Sequence, residues 1–158
     1  VVSELKKAGK KLATAESCTG GMLAKRITDI PGSSAVFETG CVTYANCVKE
    51  RLLGVPHETL VTYGAVSEQT ARAMAEGIVR ESGADIGVGI TGIAGPDGGT
   101  EEKPVGLVYI GVSVRGQMYV EEYHFEGERS EVRESTVQAA LALLKKGLEE
   151  TDGNDEDH

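Results

Sequence analysis

Three polar segments of the sequence carry the residues whose types could do chemistry. Each follows a stretch of β-forming residues, and they are Glu16–Gly21 (ESCTGG), Thr43–Asn46 (TYAN) and Thr91–Thr100 (TGIAGPDGGT). Ligands gather at the carboxyl ends of strands in open α/β sheets, so we expect the three segments to meet at one pocket. Glycines in two of them would let backbone N–H groups approach an anion closely. Ordinary tight turns and a helix cap are the alternative interpretation, which the spacing alone leaves open.

Ser17 is a candidate nucleophile, because a serine on a turn between a strand and a helix can point its hydroxyl into a pocket. The residues around it do not form the G-x-S-x-G pattern. The histidines are poor candidates for its base: His57 follows a proline in a predicted loop, His124 lies in an outer strand and His158 is in the tail. A Ser-His-Asp triad is therefore disfavoured.

A lysine kept neutral by burial is the remaining candidate for the base, since desolvation lowers the pKa of a lysine. Among the lysines, Lys49 has the best position in the sequence to act as this base. It lies on the helix that we predict from Asn46, one turn beyond the strand that carries Tyr44. The alternative, which the residues alone favour, is a solvated surface lysine beside Glu50 and Arg51.

The other reactive side chains have simpler interpretations. Cys18 has no nearby histidine to activate its thiol, so we interpret it, with Cys41 and Cys47, as a small buried apolar residue. Asp97 lacks the His, Asp and Glu neighbours that a metal site needs, and an Asx turn is favoured there. We therefore expect no metal ion. ATP hydrolysis is not indicated either, because the glycine-rich segments lack the Lys followed by Ser or Thr of a P-loop.

Arg129 and Arg133 are four residues apart and share one face of the last predicted helix. On that face they could clamp a phosphate group, since arginine binds oxyanions through a planar fork of donors. The alternative is a solvated pair, or a pair bridged to glutamates such as Glu126.

Hydrophobic periodicity predicts the elements that would position these residues. In chain order they are a short N-terminal helix, a buried strand ending at Ser17, a helix starting just after it, a strand ending at Tyr44, a helix from Asn46 to Gly54, a turn at Tyr63 and Gly64, a helix capped by Ser67 and reaching about Ser82, a buried strand over 85–92, a hairpin over 105–125 and a final helix. Strands that alternate with helices early and pair as a hairpin late predict a single three-layer α/β/α domain with a mixed central sheet.

Composition agrees with one ordinary folded domain. The chain has 158 residues, 40% of them apolar and 26% charged, which is enough to bury a core without disulfides or a structural metal. We assign residues 1–150 to the domain. The acidic segment 151–158 (TDGNDEDH) has no periodic apolar face, so we expect it to be disordered.

Charge and hydropathy limit the partners and the compartment. The formal net charge of −9 is the wrong sign for direct contact with nucleic acid. No apolar run is long enough for a membrane span, and the first residues do not resemble a secretory signal, so we expect a cytoplasmic protein without a membrane partner. The exposed edge of the predicted hairpin could pair with a second subunit, and we expect a homodimer or a higher homo-oligomer.

Four long motifs give the sequence a resemblance to a known family. In order they are TAESCTGG (14–21), TYANCVKERLLGV (43–55), GAVSEQTARAMAEG (64–77) and GITGIAGPDGGTEEKPVGLVY (89–109). Together they resemble the CinA C-terminal domain family over nearly the whole chain. The sequence departs from many relatives at Cys41 and Ala45, where they carry a glycine and a serine. Full-length relatives often have a second, larger N-terminal domain, so we interpret this chain as the stand-alone or excised domain.

The resemblance implies an activity. Family members of this kind are nicotinamide-nucleotide amidases, which hydrolyse the carboxamide of nicotinamide mononucleotide to give nicotinate mononucleotide and ammonia. By resemblance, Ser17 is the nucleophile, Lys49 is the base, Tyr44 assists and Thr91 lines the site. No metal and no organic cofactor would be required.

The remaining expectations concern the nucleotide substrate and the rival functions. We expect the phosphate to rest on the glycine-rich turns, with the two arginines as supplements. The residues expected to bind substrate are Thr19, Gly20, Gly21, Asn46, Thr91, Gly92, Gly95, Arg129 and Arg133. The alternatives are a non-catalytic nucleotide-binding sensor and an interaction domain associated with competence or DNA repair.

Overall fold

One mixed sheet organises the chain. The computed structural model describes the backbone of residues 1–156 and the side chains of residues 1–151. Within these residues the strands are β1 (Leu12–Glu16), β2 (Phe37–Val42), β3 (Ile86–Gly92), β4 (Leu107–Val114) and β5 (Gln117–His124). Their order is β2-β1-β3-β4-β5. Because β1 pairs in parallel with β2 and β3, the carboxyl ends of these three strands lie at one edge of the sheet; β3, β4 and β5 pair antiparallel.

Helices cover both faces of the sheet. They are α1 (Val2–Ala8), α2 (Met22–Thr28), α3 (Asn46–Leu53), α4 (His57–Tyr63), α5 (Glu68–Ser82) and α6 (Arg129–Glu156), with a 3-10 turn at Ser33–Ala35. One cluster of buried apolar side chains joins α1, α2 and α6 to one face of the sheet. A second cluster joins α3, α4 and α5 to the other face. The predicted three-layer α/β/α fold with a mixed sheet is confirmed.

Helix α5 lies unusually close to the sheet, because the strand residues beneath it are glycines. A Cβ atom on Gly87 would lie 2.6 Å from the carbonyl oxygen of Ala75. A Cβ atom on Gly89 would lie 2.6 Å from the carbonyl oxygen of Ala71, and one on Gly111 would lie 2.9 Å from the same oxygen. Side chains at these three positions would therefore push α5 away from β3 and β4.

The start of α2 and the stretch before α5 differ from the predicted elements. The helix predicted just after Ser17 begins at Met22, because the preceding residues form a tight turn in which Gly20 and Gly21 have φ angles of 59° and 103°. The stretch that contains His57 is not a loop but the helix α4. Periodicity missed this helix because Leu60 is its one buried residue within the described chain.

The C-terminal helix is longer than expected. Helix α6 continues to Glu156, so its backbone takes in most of the segment 151–158 for which we expected disorder. Residues 157 and 158 lie outside the described residues, and the division of the chain at residue 150 stays a prediction. No helix in the described part of the chain is both long and apolar enough to cross a membrane.

Candidate active site

The three segments singled out in the sequence meet at the carboxyl edge of β1, β2 and β3. They enclose a pocket of about 210 Å³. Its lining consists of Ser17, Cys18, Tyr44, Asn46, Lys49, Ala65, Val66, Thr91, Gly92, Ala94 and Arg129. Seven of the residues selected from the sequence thus line one pocket: Ser17, Tyr44, Asn46, Lys49, Thr91, Gly92 and Arg129.

Ser17 and Lys49 are in direct contact inside this pocket. The Lys49 Nζ atom lies 3.3 Å from Ser17 Oγ and donates a second hydrogen bond to the Tyr44 carbonyl oxygen at 3.2 Å. Only 1% of the Lys49 surface is exposed. Burial lowers the pKa of this ammonium group from its ordinary value of 10.5, since a low-dielectric surrounding disfavours the charged form. Lys49 is therefore not the solvated surface lysine of the alternative interpretation.

Helix α3 holds Lys49 in this position through its contact with α5. Lys49 and Leu53 are one turn apart and are the buried residues of α3. Gly77 of α5 permits the approach, because a Cβ atom there would lie 2.2 Å from the Leu53 carbonyl oxygen. The same carbonyl accepts a hydrogen bond from Arg80 Nη2 at 2.8 Å. The end of α3 is thus fixed on α5, and Lys49 is directed into the pocket.

Glu16 supports the turn that carries Ser17, and the sequence reasoning missed this role. Its carboxylate is 1% exposed and accepts hydrogen bonds from Thr19 Oγ1 (2.6 Å), the Leu23 N–H (2.8 Å) and the Ala24 N–H (3.1 Å). These bonds join the end of β1 to the first turn of α2, where a negative charge is favourable. The signal was available: Glu16 is an acidic residue in an otherwise buried strand, and such residues need partners.

Arg133 holds the same turn from the opposite side. Its Nε atom donates to the Cys18 carbonyl oxygen and its Nη2 atom donates to the Thr19 carbonyl oxygen, both at 3.1 Å. The turn therefore lies between a carboxylate, which accepts from the Thr19 hydroxyl and from two N–H groups of α2, and a guanidinium, which donates to two carbonyl groups of the turn. Thr19, Gly20 and Gly21 belong to this turn and are absent from the described lining of the pocket. Their expected contact with substrate stays a prediction.

Arg129 lies one helical turn earlier on α6 and faces the pocket. Its Nη1 atom donates to the Gly95 carbonyl oxygen at 2.7 Å, and its Nη2 atom donates to the Tyr44 hydroxyl at 3.2 Å. The Tyr44 side chain is 62% exposed at the pocket mouth. Tyr44 thus meets Lys49 through its carbonyl and Arg129 through its hydroxyl.

Thr91 ties the glycine-rich loop to the start of α5. Its side chain is 1% exposed, and its Oγ1 atom donates to the Ala65 carbonyl oxygen at 2.7 Å. Ala65 precedes Ser67, which caps α5 by accepting a hydrogen bond from the Thr70 N–H. The predicted N-cap at Ser67 is confirmed.

A second, larger cavity adjoins the Ser17 pocket. Its volume is about 790 Å³, and its lining consists of Ala94, Pro96, Val105, Gly127, Glu128, Arg129, Ser130 and Arg133. Ala94 and Arg129 line both cavities. A volume of this size suits the body of a small organic ligand. A ligand with its reacting group at Ser17 can therefore extend past Arg129 towards the start of α6.

The cysteines do not compete with Ser17 as nucleophiles. Burial raises the pKa of the Cys18 thiol to about 11, so it stays protonated near neutral pH. Cys41 is half-buried, and Cys47 is exposed, which makes the expected buried role wrong for Cys47. In the part of the chain that the structure describes, His, Cys, Asp and Glu residues form no group of three that could hold a metal ion.

The fold and the site together define a class: an α/β/α domain with a serine and a buried lysine in contact at the carboxyl edge of a mixed sheet. Comparison with known proteins identifies the family. The model of the CinA C-terminal domain matches residues 1–148. The chain therefore belongs to the CinA C-terminal domain family.

Individual relatives agree with this assignment. A CinA-like protein from Geobacter sulfurreducens is 54% identical over 140 residues, which cover 89% of this chain and 34% of that protein. The crystal structure of competence/damage inducible protein CihA from Agrobacterium tumefaciens matches with a TM-score of 0.91 at 47% identity, covering 94% of this chain and 90% of that one. A CinA superfamily protein from Klebsiella pneumoniae matches with a TM-score of 0.91 at 38% identity, covering 94% and 92%. The chain spans about a third of the length of the curated relatives it matches.

Proposed function

We propose that this chain is a nicotinamide-nucleotide amidohydrolase, which converts nicotinamide mononucleotide and water to nicotinate mononucleotide and ammonia. The observation that carries the proposal is the 3.3 Å contact between Lys49 Nζ and Ser17 Oγ, at a lysine whose burial lowers its pKa. A serine activated by an adjacent lysine is a recurring nucleophile and base pair in acyl transfer. The choice of substrate rests on membership of the CinA C-terminal domain family.

The first half-reaction forms an ester on Ser17. Neutral Lys49 takes the Ser17 hydroxyl proton while the oxygen attacks the carboxamide carbon of the substrate. The carbon–nitrogen bond of the tetrahedral intermediate then breaks. The protonated Lys49 gives its proton to the leaving nitrogen, which departs as ammonia, and the nicotinoyl group stays on the serine oxygen.

The second half-reaction repeats the chemistry with water. Lys49, neutral again, takes a proton from a water molecule as its oxygen attacks the ester carbon. The bond to Ser17 breaks, the serine oxygen recovers the proton from Lys49, and nicotinate mononucleotide leaves. The Tyr44 carbonyl, which accepts from Lys49 Nζ, keeps the amine directed at Ser17 through both steps.

Backbone N–H groups of the turn after Ser17 are the donors for the developing oxyanion. The N–H of Gly20 bonds to the Ser17 carbonyl and that of Met22 bonds to the Thr19 carbonyl. Cys18 is the residue of this turn that follows Ser17 and lines the pocket, so we assign the oxyanion contact to its N–H group. Glu16 and Arg133 hold this turn from its two sides, so this donor is in place before the substrate binds.

The rest of the nucleotide occupies the larger cavity. From Ser17 the pyridine ring passes Ala94 and Arg129, and the ribose and phosphate lie between the β3–β4 loop and the start of α6. The positive end of this long helix and the Arg129 guanidinium favour an anion there. The expected substrate-binding roles of Arg129, Asn46, Gly92 and Gly95 form part of the proposal.

The test is ammonia release from nicotinamide mononucleotide, measured with the purified chain and EDTA. We expect turnover by the parent chain and a loss of at least about 10³-fold in Ser17→Ala and in Lys49→Met. Ser33→Ala is the matched control, since Ser33 is a buried serine in the 3-10 turn before β2. Its activity should equal that of the parent.

Two other results would contradict the proposal. Near-normal turnover by Ser17→Ala would show that the serine is not the nucleophile. Tight nucleotide binding by the parent without ammonia release would indicate a sensor. Mass spectrometry of quenched reactions adds a direct check, because the ester on Ser17 should appear in the parent chain and be missing from Ser17→Ala.

A further inference from the structure

The loop between β3 and β4, residues 93–106, forms one wall of the larger cavity through Ala94, Pro96 and Val105. Hydrogen bonds join this loop to the rest of the domain near both of its ends. Arg129 binds the Gly95 carbonyl oxygen at 2.7 Å near the start of the loop. Near the other end, Lys103 Nζ donates a hydrogen bond to the carbonyl oxygen of Tyr63, the last residue of α4.

Burial distinguishes Lys103 from its neighbours. Across residues 96–105, all of which the structure describes, Lys103 is half-buried and every other residue is exposed. Lysine is among the side chains least often buried in proteins. The Lys103 ammonium group donates a hydrogen bond to the Tyr63 carbonyl at an exposed position.

The backbone of Lys103 is fixed as well as its side chain. The Thr100 N–H donates to the Lys103 carbonyl oxygen at 2.8 Å. In return, the Lys103 N–H donates to Thr100 Oγ1 at 3.0 Å. These reciprocal bonds close residues 100–103 into a turn, so the Lys103 side chain leaves the loop in a defined direction.

Tyr63, whose carbonyl accepts the hydrogen bond from Lys103, lies next to a hydrogen-bonded helix cap. Gly64, which follows Tyr63, has a φ angle of +84°, and a Cβ atom there would lie 2.9 Å from Lys103 Nζ. The Gly64 carbonyl oxygen accepts hydrogen bonds from Thr70 Oγ1 at 2.7 Å and from Ser67 Oγ at 3.0 Å. Since Ser67 and Thr70 form the cap of α5, Lys103 connects the loop to a fixed helix end.

The same connection reaches the Ser17 pocket. Ala65 and Val66, which follow Gly64, line that pocket, and the Ala65 carbonyl accepts the Thr91 hydroxyl. We propose that Lys103 is a positioning residue that holds the β3–β4 loop over the larger cavity and thereby sets how tightly the body of the substrate binds. Lys103 does so without touching the reacting atoms, and this role rests on the proposed amidase function.

Kinetics provide the first test. Lys103→Met should raise KM for nicotinamide mononucleotide about three- to tenfold and leave kcat within about twofold, because the lost interaction serves ground state and transition state alike. Lys103→Arg keeps a charged donor and should restore most of the affinity. Glu101→Gln alters an exposed residue of the same loop and should leave both constants unchanged.

Hydrogen exchange of the substrate-free chain provides the second test. Amides of residues 94–105 should exchange faster in Lys103→Met than in the parent, Lys103→Arg or Glu101→Gln. A raised KM without faster exchange would show that Lys103 contacts the substrate and would overturn the proposal. Faster exchange with an unchanged KM would overturn it too. If the parent chain releases no ammonia, the amidase function fails and this role fails with it, whereas unchanged exchange beside an active parent overturns the role of Lys103 alone.

Discussion

A lysine that is buried beside a serine affects stability as well as chemistry. Lys49 is 1% exposed, and its pKa in the folded chain lies below the ordinary value of 10.5. The unfolded chain therefore binds a proton more readily than the folded chain between these two pKa values. Since stability rises with pH wherever the unfolded state holds more protons, Lys49 makes the folded state more stable as pH increases through this interval.

Comparison of the parent with Lys49→Met isolates this effect. The free energy of unfolding of the parent, minus that of Lys49→Met, should increase as pH rises from the lowered pKa of Lys49 towards 10.5 and then level off. Each unit by which the pKa is lowered contributes about 1.4 kcal/mol. Urea titrations of both chains across this range measure the difference. A difference that stays constant with pH would mean that Lys49 is not desolvated in the folded chain.

Glu16 allows a second prediction at the scale of single residues. In Glu16→Gln, the amide nitrogen must face a buried donor, because both carboxylate oxygens accept hydrogen bonds from the turn or from α2. An unpaired buried donor costs roughly 1–3 kcal/mol. We expect a loss of stability of this size and a lower kcat, measured by urea titration and ammonia release. Glu38→Gln, at an exposed residue of β2, is the control, and equal stability of the two variants would contradict the role of Glu16.

At the scale of elements, the contact between α5 and the sheet leaves no room for a side chain on the strand residues beneath the helix. Gly89 lies beneath α5, where a Cβ atom would approach the Ala71 carbonyl oxygen to 2.6 Å. Gly89→Ala should therefore lower the free energy of unfolding by about 1–3 kcal/mol, which is typical of overpacking. Because Ala65 precedes α5 and accepts the Thr91 hydroxyl, the displaced helix should also raise KM.

Gly147→Ala in α6 is the matched control for this prediction. A Cβ atom there would meet side-chain atoms at 3.3 Å or more, and alanine favours a helix over glycine by about 1 kcal/mol. Its stability should stay within about 1 kcal/mol of the parent. Thermal unfolding of both variants makes the comparison, and equal melting temperatures for Gly89→Ala and the parent would contradict the close packing.

Elements with strong periodicity could be predicted from the sequence, and weakly patterned ones could not. The alternating residues of the β4–β5 hairpin and the capped apolar face of α5 are local signals, and both elements are present. Helix α4 has too few buried residues to show a period. Topology then brings Ser17 and Lys49 to one sheet edge. The contacts of Glu16 and Arg133 depend on groups brought together by folding, which spacing along the chain does not reveal.

At the scale of the whole molecule, assembly stays a prediction. β5 is an edge strand, and its outer N–H and C=O groups can pair with a second copy. We expect sedimentation velocity to show a homodimer of the 16.6 kDa chain, or a larger homo-oligomer. Proline on an edge strand opposes pairing with another strand, so Glu121→Pro should produce a monomer. A monomeric parent chain at micromolar concentration would contradict the expected assembly.

Ser17 and Lys49 come from distant parts of the chain, so their contact forms only when those parts have folded together. Ser17 follows β1, whereas Lys49 reaches it only when α3 lies against Gly77 of α5. Before that contact forms, the lysine is an ordinary hydrated cation and the serine an ordinary alcohol. The two side chains therefore gain their paired chemistry only when the chain has folded. During refolding, the onset of the proposed ammonia release should report the docking of α3 on α5 rather than the formation of the sheet.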